Sequence, residues 1–232
     1  MAGISRAYKR RGNMVANTGG PVMCLDAGSR ISYPGTGTTW TDLSGNGNTG
    51  TLTNGPTYSS ANGGSIVFDN VNDYVEAVYN ATLDFGTGDF TVGIWVKTSN
   101  HSAYQLIFGR DNGSTGVGII ILSHITSGVT RSWVSNSGVN GTIDIANGNW
   151  HHVVLSRASF VVRQYVDGQF DVQVNSYGNV NMANNNTVRL GNYAVNGYQF
   201  NGSIANASIY NRALSAAEIS TNFELTRGRF GI

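Results

Sequence analysis

The sequence predicts an all-β sandwich with one short C-terminal helix, and three observations support this prediction. Short β-branched and aromatic segments recur from Val22 onward, separated by turn residues at a spacing of roughly 8–12 residues that is typical of antiparallel sandwiches. The 232-residue chain contains 31 glycines and 3 prolines, a composition that weakens helices but suits many tight turns. Only one late segment carries helix signals, whereas an α/β fold needs a helix after nearly every strand.

The predicted strands are short segments rich in β-branched and aromatic residues, bounded by turn clusters. They cover residues 65–69, 73–78, 90–97, 104–110, 117–122, 129–135, 151–157, 160–166, 169–174 and 187–193. The clearest hairpin is "VVRQYVDGQFDVQV", in which Asp167-Gly168 forms a two-residue turn. After this turn, alternation predicts that Phe170, Val172 and Val174 face the core while the residues between them face water.

The predicted helix lies in "ALSAAEISTNF" near the C-terminus. Ser215 followed three residues later by Glu218 forms a capping-box pattern, which marks a helix N-terminus. Ile219 and Phe223 are four residues apart and therefore share one apolar stripe. Gly228 can end the helix.

The stretch Gly45–Gly50, "GNGNTG", has the G-x-G-x-x-G spacing of a dinucleotide-binding loop. Such a loop must be followed by a helix whose N-terminus meets the pyrophosphate. The following residues, "TLTNGPTYSS", contain turn signals, a proline and β-branched residues instead. We therefore predict a tight surface turn here and no nucleotide binding.

Composition restricts the class of partner. Only 12% of the residues are charged and the net charge is +1, so no long-range field favours nucleic acid. A polar, uncharged surface suits neutral partners such as sugars. The single cysteine, Cys24, excludes an internal disulfide and is expected to be a small buried apolar residue. No apolar run is long enough to span a membrane, and no signal-peptide pattern is present, which predicts synthesis in a cytoplasm without export by the general route.

Residues 1–20 differ from the rest and are predicted to form a basic N-terminal arm before a single domain at 21–232. The arm contains Arg6, Lys9, Arg10 and Arg11 with no acidic residue. It is a solvated tail or an anchor that becomes ordered on a partner, and nucleic-acid binding by so few charges is the weakest alternative.

Several segments in order resemble a laminin-G-like domain of the concanavalin A-like lectin/glucanase superfamily. They are "MCLDAG", "YPGTGTTWTDLSGNGNTGTLTNGPTYSSANGGSIVFD", "DFTVGIWVK", "NWHHVVLSR", "VRQYVDGQ" and "FNGSIANASIYNRALSAAEI". The resemblance runs from about Val22 to Phe223 and implies a two-sheet antiparallel jelly roll. The sequence of residues 22–69 is also similar to that of structural proteins predicted in tailed bacteriophages, especially from aquatic environments.

Members of this superfamily that cleave β-glucans carry E-x-D-x-E on one strand, which places the carboxylates on the same face. The three glutamates of this chain, Glu76, Glu218 and Glu224, do not have that spacing. The adjacent His151 and His152 point to opposite strand faces, so they cannot easily share a metal; we expect one to be packed and one exposed. The sequence therefore predicts a protein that is not an enzyme, with a divergent glycosidase as the weakest alternative.

The resemblance also raises a structural Ca²⁺, since many of these domains hold one with oxygen ligands. The matching donors are Asp26, Asp42 and Asn48, although the two aspartates are equally typical of turns and caps. Where the family often has an acidic pair in the last strand, this chain has Ala205 and Asn206. We predict no cofactor, with calcium at these three residues as the open alternative.

Sugar binding needs aromatic platforms, and four aromatic residues lie beside Asn- or Gly-rich turns: Tyr104, Trp133, Tyr193 and Tyr198. These are the candidate glycan-binding residues. The alternative is that they are core residues, because a sandwich of this size buries most of its aromatics.

Two compatible functions follow from the resemblance. The first is a non-enzymatic virion protein, a capsid decoration or fibre-like protein. It would be docked by its arm to other virion proteins, present as a homo-oligomer or in many copies, and in contact with polysaccharide. The second is a dedicated carbohydrate-binding module of a receptor-binding or cell-surface protein. Neither involves nucleic acid or a membrane, and the expected location of the first is the virion.

Overall fold

The computed structural model describes residues 19–111, 118–123, 127–135, 137–175, 181–192 and 197–232. In these residues, sixteen strands form two antiparallel sheets that pack face to face, and one α-helix follows the last strand. The predicted two-sheet antiparallel jelly-roll sandwich with a short C-terminal helix is confirmed. None of the helices in the described ranges has the length and apolar character needed to cross a membrane.

The elements are numbered in chain order. The strands are β1 Met23–Asp26, β2 Thr39–Trp40, β3 Gly50–Thr53, β4 Thr57–Ser59, β5 Ser65–Asp69, β6 Tyr74–Ala77, β7 Phe90–Thr98, β8 Gln105–Arg110, β9 Ile119–Ser123, β10 Val129–Val134, β11 Ser137–Asp144, β12 Trp150–Ala158, β13 Val161–Val166, β14 Gln169–Asn175, β15 Val188–Leu190 and β16 Asn201–Tyr210. The helix α1 is Ala216–Thr226, and short 3₁₀ turns lie at Ala61–Gly63, Ala81–Leu83 and Arg227–Arg229.

Each sheet contains eight strands. Sheet A has the order β14-β13-β12-β7-β16-β5-β4, with β1 also paired to β16. Sheet B has the order β11-β10-β9-β8-β15-β6-β3-β2. One continuous apolar core fills the space between them, with fully buried aromatic rings such as Trp40, Phe68, Phe90 and Phe108.

The glycine-rich turn behaves as predicted. Gly45 and Gly47 have φ values of 86° and 80°, a backbone region in which glycine meets no steric penalty. Strand β3 begins at Gly50, where a dinucleotide-binding loop would need a helix.

The hairpin turn is confirmed, but one side-chain facing predicted from alternation is wrong. Asp167 and Gly168 form the turn with φ values of 51° and 74°. Phe170, expected in the core, is 54% exposed. The register shifts so that Gln164 pairs with Val172 while the next residue, Tyr165, pairs with Phe170. Asp171 is thus an extra residue, a β-bulge that reverses the facing of Phe170. Val172, beyond the bulge, packs against the core as predicted.

The extra residue joins the edges of the two sheets. The Asp171 carboxylate accepts hydrogen bonds from the Thr142 hydroxyl of β11 at 2.5 Å and from the Gln164 Nε2 amide of β13 at 2.9 Å. Gln164 is fully buried, and its Oε1 accepts a bond from the Ser132 hydroxyl of β10 at 3.1 Å. The bulge therefore closes one side of the sandwich with polar contacts.

We expect Asp171→Ala to lower the free energy of unfolding by about 1–3 kcal/mol, because the buried Gln164 amide loses its acceptor. Gln173→Ala on the exposed side of the same strand is the control and should cost less than about 0.5 kcal/mol. Urea denaturation measures both values. Equal costs for the two variants would contradict the role assigned to the bulge.

Helix α1 begins as predicted. The Glu218 backbone N–H donates to the Ser215 hydroxyl at 3.2 Å, and the Ser215 backbone N–H donates to the Glu218 carboxylate at 2.9 Å. The α-helix ends at Thr226, and Gly228 lies in the 3₁₀ turn that follows. Ile219, on the apolar stripe, is fully buried against sheet A.

Glu218 also forms an ion pair that makes stability depend on pH. The Arg212 guanidinium, 2.8 Å from the carboxylate, and the Ser215 bonds lower the Glu218 pKa from 4.5 to about 2, despite the opposing effect of burial. A pKa that is lower in the folded state contributes stability above pH 4.5, and this contribution is lost as pH falls from 4.5 towards 2.

We therefore expect Glu218→Gln to lower the melting temperature at pH 6, and the difference from the unsubstituted protein to shrink as pH falls towards 2. Glu224→Gln, which removes an exposed pair with Arg227, is the control and should have a smaller effect at pH 6. Melting curves from pH 2 to 7 measure both. A Glu218→Gln difference that is constant with pH would contradict the prediction.

The two histidines lie on opposite faces of β12 as predicted, but the expectation that one is exposed is wrong. His151 is 8% exposed because its ring nitrogens contact the Asp167 carboxylate at 2.8 Å and the Asn147 side-chain oxygen at 3.1 Å. His152 is 2% exposed and stacks on Trp95 with the ring centroids 5.2 Å apart. Burial lowers the His152 pKa to about 4.

Candidate functional site

The two outer faces of the sandwich differ in what covers them. On sheet A, helix α1 and the residues after it cover the outer face with two apolar clusters. These contain Val154, Tyr165, Tyr210, Leu214 and Ile219, and Trp95, Trp150, Ala205, Phe223 and Phe230. In the described part of the chain no helix covers the outer face of sheet B. That face is therefore open to a ligand.

An aromatic cluster lies on this outer face. The rings of Tyr104 and Tyr198 have centroids 5.7 Å apart, and both are half-buried around the fully buried Leu106. Trp133 and Ile120, cross-strand partners on β10 and β9, complete the cluster. Trp133 also pairs with Gly138 on the edge strand β11, and its indole lies against this glycine, where a Cβ atom would come within 3.3 Å of Trp133 Nε1.

Arg131 joins the rings together. It lies two residues from Trp133 on the same face of β10, with its guanidinium carbon 4.8 Å from the Trp133 ring centroid and 5.7 Å from that of Tyr104. Its Nη1 donates a hydrogen bond to the Tyr104 hydroxyl at 2.8 Å. These contacts hold the guanidinium beside both rings. We call the surface of Tyr104, Ile120, Arg131, Trp133 and Tyr198 the aromatic face.

A second group continues the same surface along the sheet. The cross-strand register connects Ile120 to Gly109 and Gly109 to Arg189 on β15. Arg189 lies 4.6 Å from the Tyr74 ring centroid and 2.7 Å from the Glu76 carboxylate. Trp133 and Arg189 are three strands apart, about 14 Å. An extended ligand that crosses the strands could contact both groups.

This arrangement can bind a ligand that is partly apolar and partly polar. The half-buried rings present flat apolar area, and the tyrosine hydroxyls and the Arg131 guanidinium present hydrogen-bonding groups at the ring edges. Rings held by one another and by Arg131 lose little conformational entropy on binding.

The structure brings together three of the four aromatic residues predicted from sequence, namely Tyr104, Trp133 and Tyr198. Tyr193 lies outside the described residues. Sequence reasoning missed Arg131, although the alternation in "VTRSWVS" indicated that Arg131 and Trp133 share one strand face.

The calcium candidates are engaged in hydrogen bonds. The Asp42 carboxylate accepts bonds from the backbone N–H groups of Cys24, Ser44 and Asn48 at 2.8–2.9 Å and from the Ser44 hydroxyl at 2.6 Å. All of these groups donate hydrogen bonds to the carboxylate. Asp42 acts here as the cap of a turn.

The other two candidates do not complete a metal site. Asp26 accepts from the Arg229 Nη1 at 2.7 Å, and the Asn48 amide donates to the Val22 carbonyl at 2.7 Å. The buried Asn48 Oδ1 has no hydrogen-bond partner, but calcium needs about 6–8 oxygen ligands. Among the described residues no group of three or more His, Cys, Asp or Glu side chains could hold a metal ion. The donors described here do not fit Ca²⁺.

The remaining residues that the sequence analysis named are the cysteine, the three glutamates and the basic residues of the arm. Cys24 is free and buried as expected. Glu76, Glu218 and Glu224 each form an ion pair with an arginine. Arg6, Lys9, Arg10 and Arg11 of the arm lie outside the described residues, which begin at Gly19.

A family profile matches most of the chain. The profile of a laminin-G-type family in the concanavalin A-like lectin/glucanases superfamily matches residues 68–220, more than half of the chain. No curated protein matches the sequence.

Solved structures share the fold at low sequence identity. The binding domain of botulinum neurotoxin serotype G superimposes with a TM-score of 0.70 at 13% identity, over 88% of this chain and 51% of that one. Domain 4 of AbnA superimposes with a TM-score of 0.69 at 18% sequence identity, over 90% of this chain and all of that domain. AbnA is an extracellular arabinanase from Geobacillus stearothermophilus, and this domain was solved in complex with arabinotriose. A Trypanosoma rangeli sialidase superimposes with a TM-score of 0.65 at 17% sequence identity, over 95% of this chain and 37% of that one. The chain spans about half the length of the toxin binding domains that it matches.

Proposed function

We propose that this chain, which belongs to the concanavalin A-like lectin/glucanases superfamily, is a non-catalytic carbohydrate-binding module that binds its ligand on the aromatic face. The observation that carries the proposal is the convergence of Tyr104, Trp133 and Tyr198 on an outer sheet face that α1 leaves open. These residues come from three separate parts of the sequence. Packing has brought them to one surface and kept them half-exposed.

The chemistry of a sugar suits this surface. One side of a sugar ring presents C–H groups that can pack on an aromatic ring, while its hydroxyls lie at the rim. The indole of Trp133 supplies the flat apolar area, and the hydroxyl of Tyr104 and the N–H groups of Arg131 are the polar groups within reach of the rim. Ligand sites commonly combine aromatic lining with a few fixed polar groups.

The similar structures support a binding function by analogy. The arabinanase domain was solved in complex with arabinotriose, and the toxin structures are binding domains. Their identities to this chain are below 20%, so the analogy concerns the fold, and the site itself must be argued from the residues. The sialidase is an enzyme, but this chain spans only 37% of it. The three glutamates of this chain form ion pairs with arginines, which gives no support to a catalytic pair of glutamates.

The place where the module works is a further part of the proposal. We propose that it is displayed in many copies on a bacteriophage particle, docked to other virion proteins through residues 1–20. The support is the resemblance of residues 22–69 to phage structural proteins and the four basic side chains of the arm. Arginines form charge-assisted, often bidentate bonds with carboxylates of a partner.

The binding function predicts that Trp133→Ala weakens polysaccharide binding at least about tenfold, because a central aromatic contact is lost. The side chain lies on an outer face, so the melting temperature should change little. Phe170→Ala is the matched control, since it removes an exposed ring from the opposite sheet. Affinity gel electrophoresis against arabinan, xylan, galactan and polygalacturonate measures the effect.

Two outcomes would contradict the binding function. One is that the unsubstituted protein is not retarded by any polysaccharide in the panel. The other is that Phe170→Ala weakens retardation as much as Trp133→Ala does.

Display on a particle predicts that mass spectrometry of purified phage particles finds the protein in many copies. Deleting residues 2–13 should abolish its incorporation while leaving the melting temperature of the free protein nearly unchanged. Full incorporation of the truncated protein would show that the arm is not the anchor. Presence of the full-length protein only in infected-cell lysate would contradict display altogether.

A further inference from the structure

We propose that the aromatic face selects acidic polysaccharides, and that Arg131 recognises a sugar carboxylate. This inference rests on the proposed binding function and specifies its ligand class. It is carried by the positive charge of Arg131, which has no acidic partner within the aromatic face.

Arg131 has no acidic partner among the described residues. Five of the nine arginines in the described ranges form an ion pair with a carboxylate, as Arg110 does with Asp84 and Arg229 with Asp26. The polar contact of Arg131 is the neutral hydroxyl of Tyr104, which it reaches through Nη1. The positive charge of Arg131 is therefore not cancelled by a neighbouring carboxylate.

The neighbouring group on the same sheet shows the contrast. Arg189 also lies on a tyrosine ring, that of Tyr74, but its guanidinium is paired with Glu76 at 2.7 Å. The nearest acidic residue on the strand beside Arg131 is Asp144, which pairs with Val129, two residues before Arg131 on β10. The Asp144 carboxylate is bound by the Ala146 backbone N–H at 2.8 Å and lies 3.6 Å from His101.

The position of Arg131 suits recognition of an anion on a sugar. The contacts with the Trp133 and Tyr104 rings and the hydrogen bond to the Tyr104 hydroxyl hold the guanidinium in one position. The N–H groups that do not bond to Tyr104 remain to bind a carboxylate, and such charge-assisted bonds are stronger than neutral ones. A uronate ring packed on Trp133 would bring its carboxylate beside this edge, because Arg131 and Trp133 are two residues apart on one strand face.

The net charge of the whole chain indicates that selectivity must be local. At +1 with only 12% charged residues, the protein has little long-range attraction for a polyanion. A preference for acidic polysaccharide would therefore depend on direct contact with Arg131 and should be removed by one substitution.

The test compares polygalacturonate with the same polymer after chemical reduction of its carboxyl groups. The full chain should bind polygalacturonate about tenfold or more tightly than the reduced polymer. Arg131→Gln should remove this preference while retaining binding to the reduced polymer. Arg163→Gln is the matched control: Arg163 lies on strand β13 of the other sheet, where it bonds to the Gln173 side chain, and its loss should leave the preference intact. Melting temperatures verify that both variants are folded.

The outcomes separate this inference from the proposed function. Equal binding of both polymers by the unsubstituted protein, or a preference that survives Arg131→Gln, would overturn acidic selectivity while leaving carbohydrate binding in place. If Arg163→Gln removed the preference as fully as Arg131→Gln does, the preference would come from the overall charge of the protein, and acidic selectivity through Arg131 would be overturned. If the protein bound neither of these polymers and none of arabinan, xylan and galactan, both proposals would be overturned.

Discussion

Packing of helix α1 against sheet A decides which surface of the sandwich is left for a ligand. Ile219 and Phe223 occupy the outer face of sheet A together with the buried rings of Tyr210 and Trp95. This side of the molecule thus becomes a second core, with a His152 ring so desolvated that its pKa falls to about 4. The aromatic residues on the outer face of sheet B remain at the surface because helix α1 packs on sheet A instead.

The local regularity of the sheets is broken at the positions that shape this surface and close the sandwich. On β14 the extra residue Asp171 turns inward to join the two sheet edges, which leaves Phe170 outside. On β8 a register shift between Leu106 and Phe108 puts Leu106 on the outer face under the tyrosine rings while Ile107 and Phe108 both enter the core. Bulges of this kind re-aim side chains without lengthening a strand.

The features that sequence predicts correctly here are those decided by nearby residues. The capping box of Ser215 and Glu218 and the Asp167-Gly168 turn depend on backbone geometry within four residues, and both form as expected. The facing of Phe170 depends on pairing with another strand, and simple alternation cannot detect a bulge. The aromatic cluster was predictable only as a set of candidates, because bringing Tyr104 and Tyr198 within 5.7 Å requires the fold.

The small size of the aromatic face also links the binding site to the proposed display. Three rings and one guanidinium offer few contacts to a sugar chain, and a shallow sheet face cannot enclose a ligand as a pocket does, so each copy would bind weakly. Weak sites become effective when many copies engage one polymer, since every later contact is intramolecular. A polysaccharide is a repeating ligand that permits this. A particle that carries many copies would therefore need no tighter site than this face provides, whereas a single-copy receptor protein would require further binding surface.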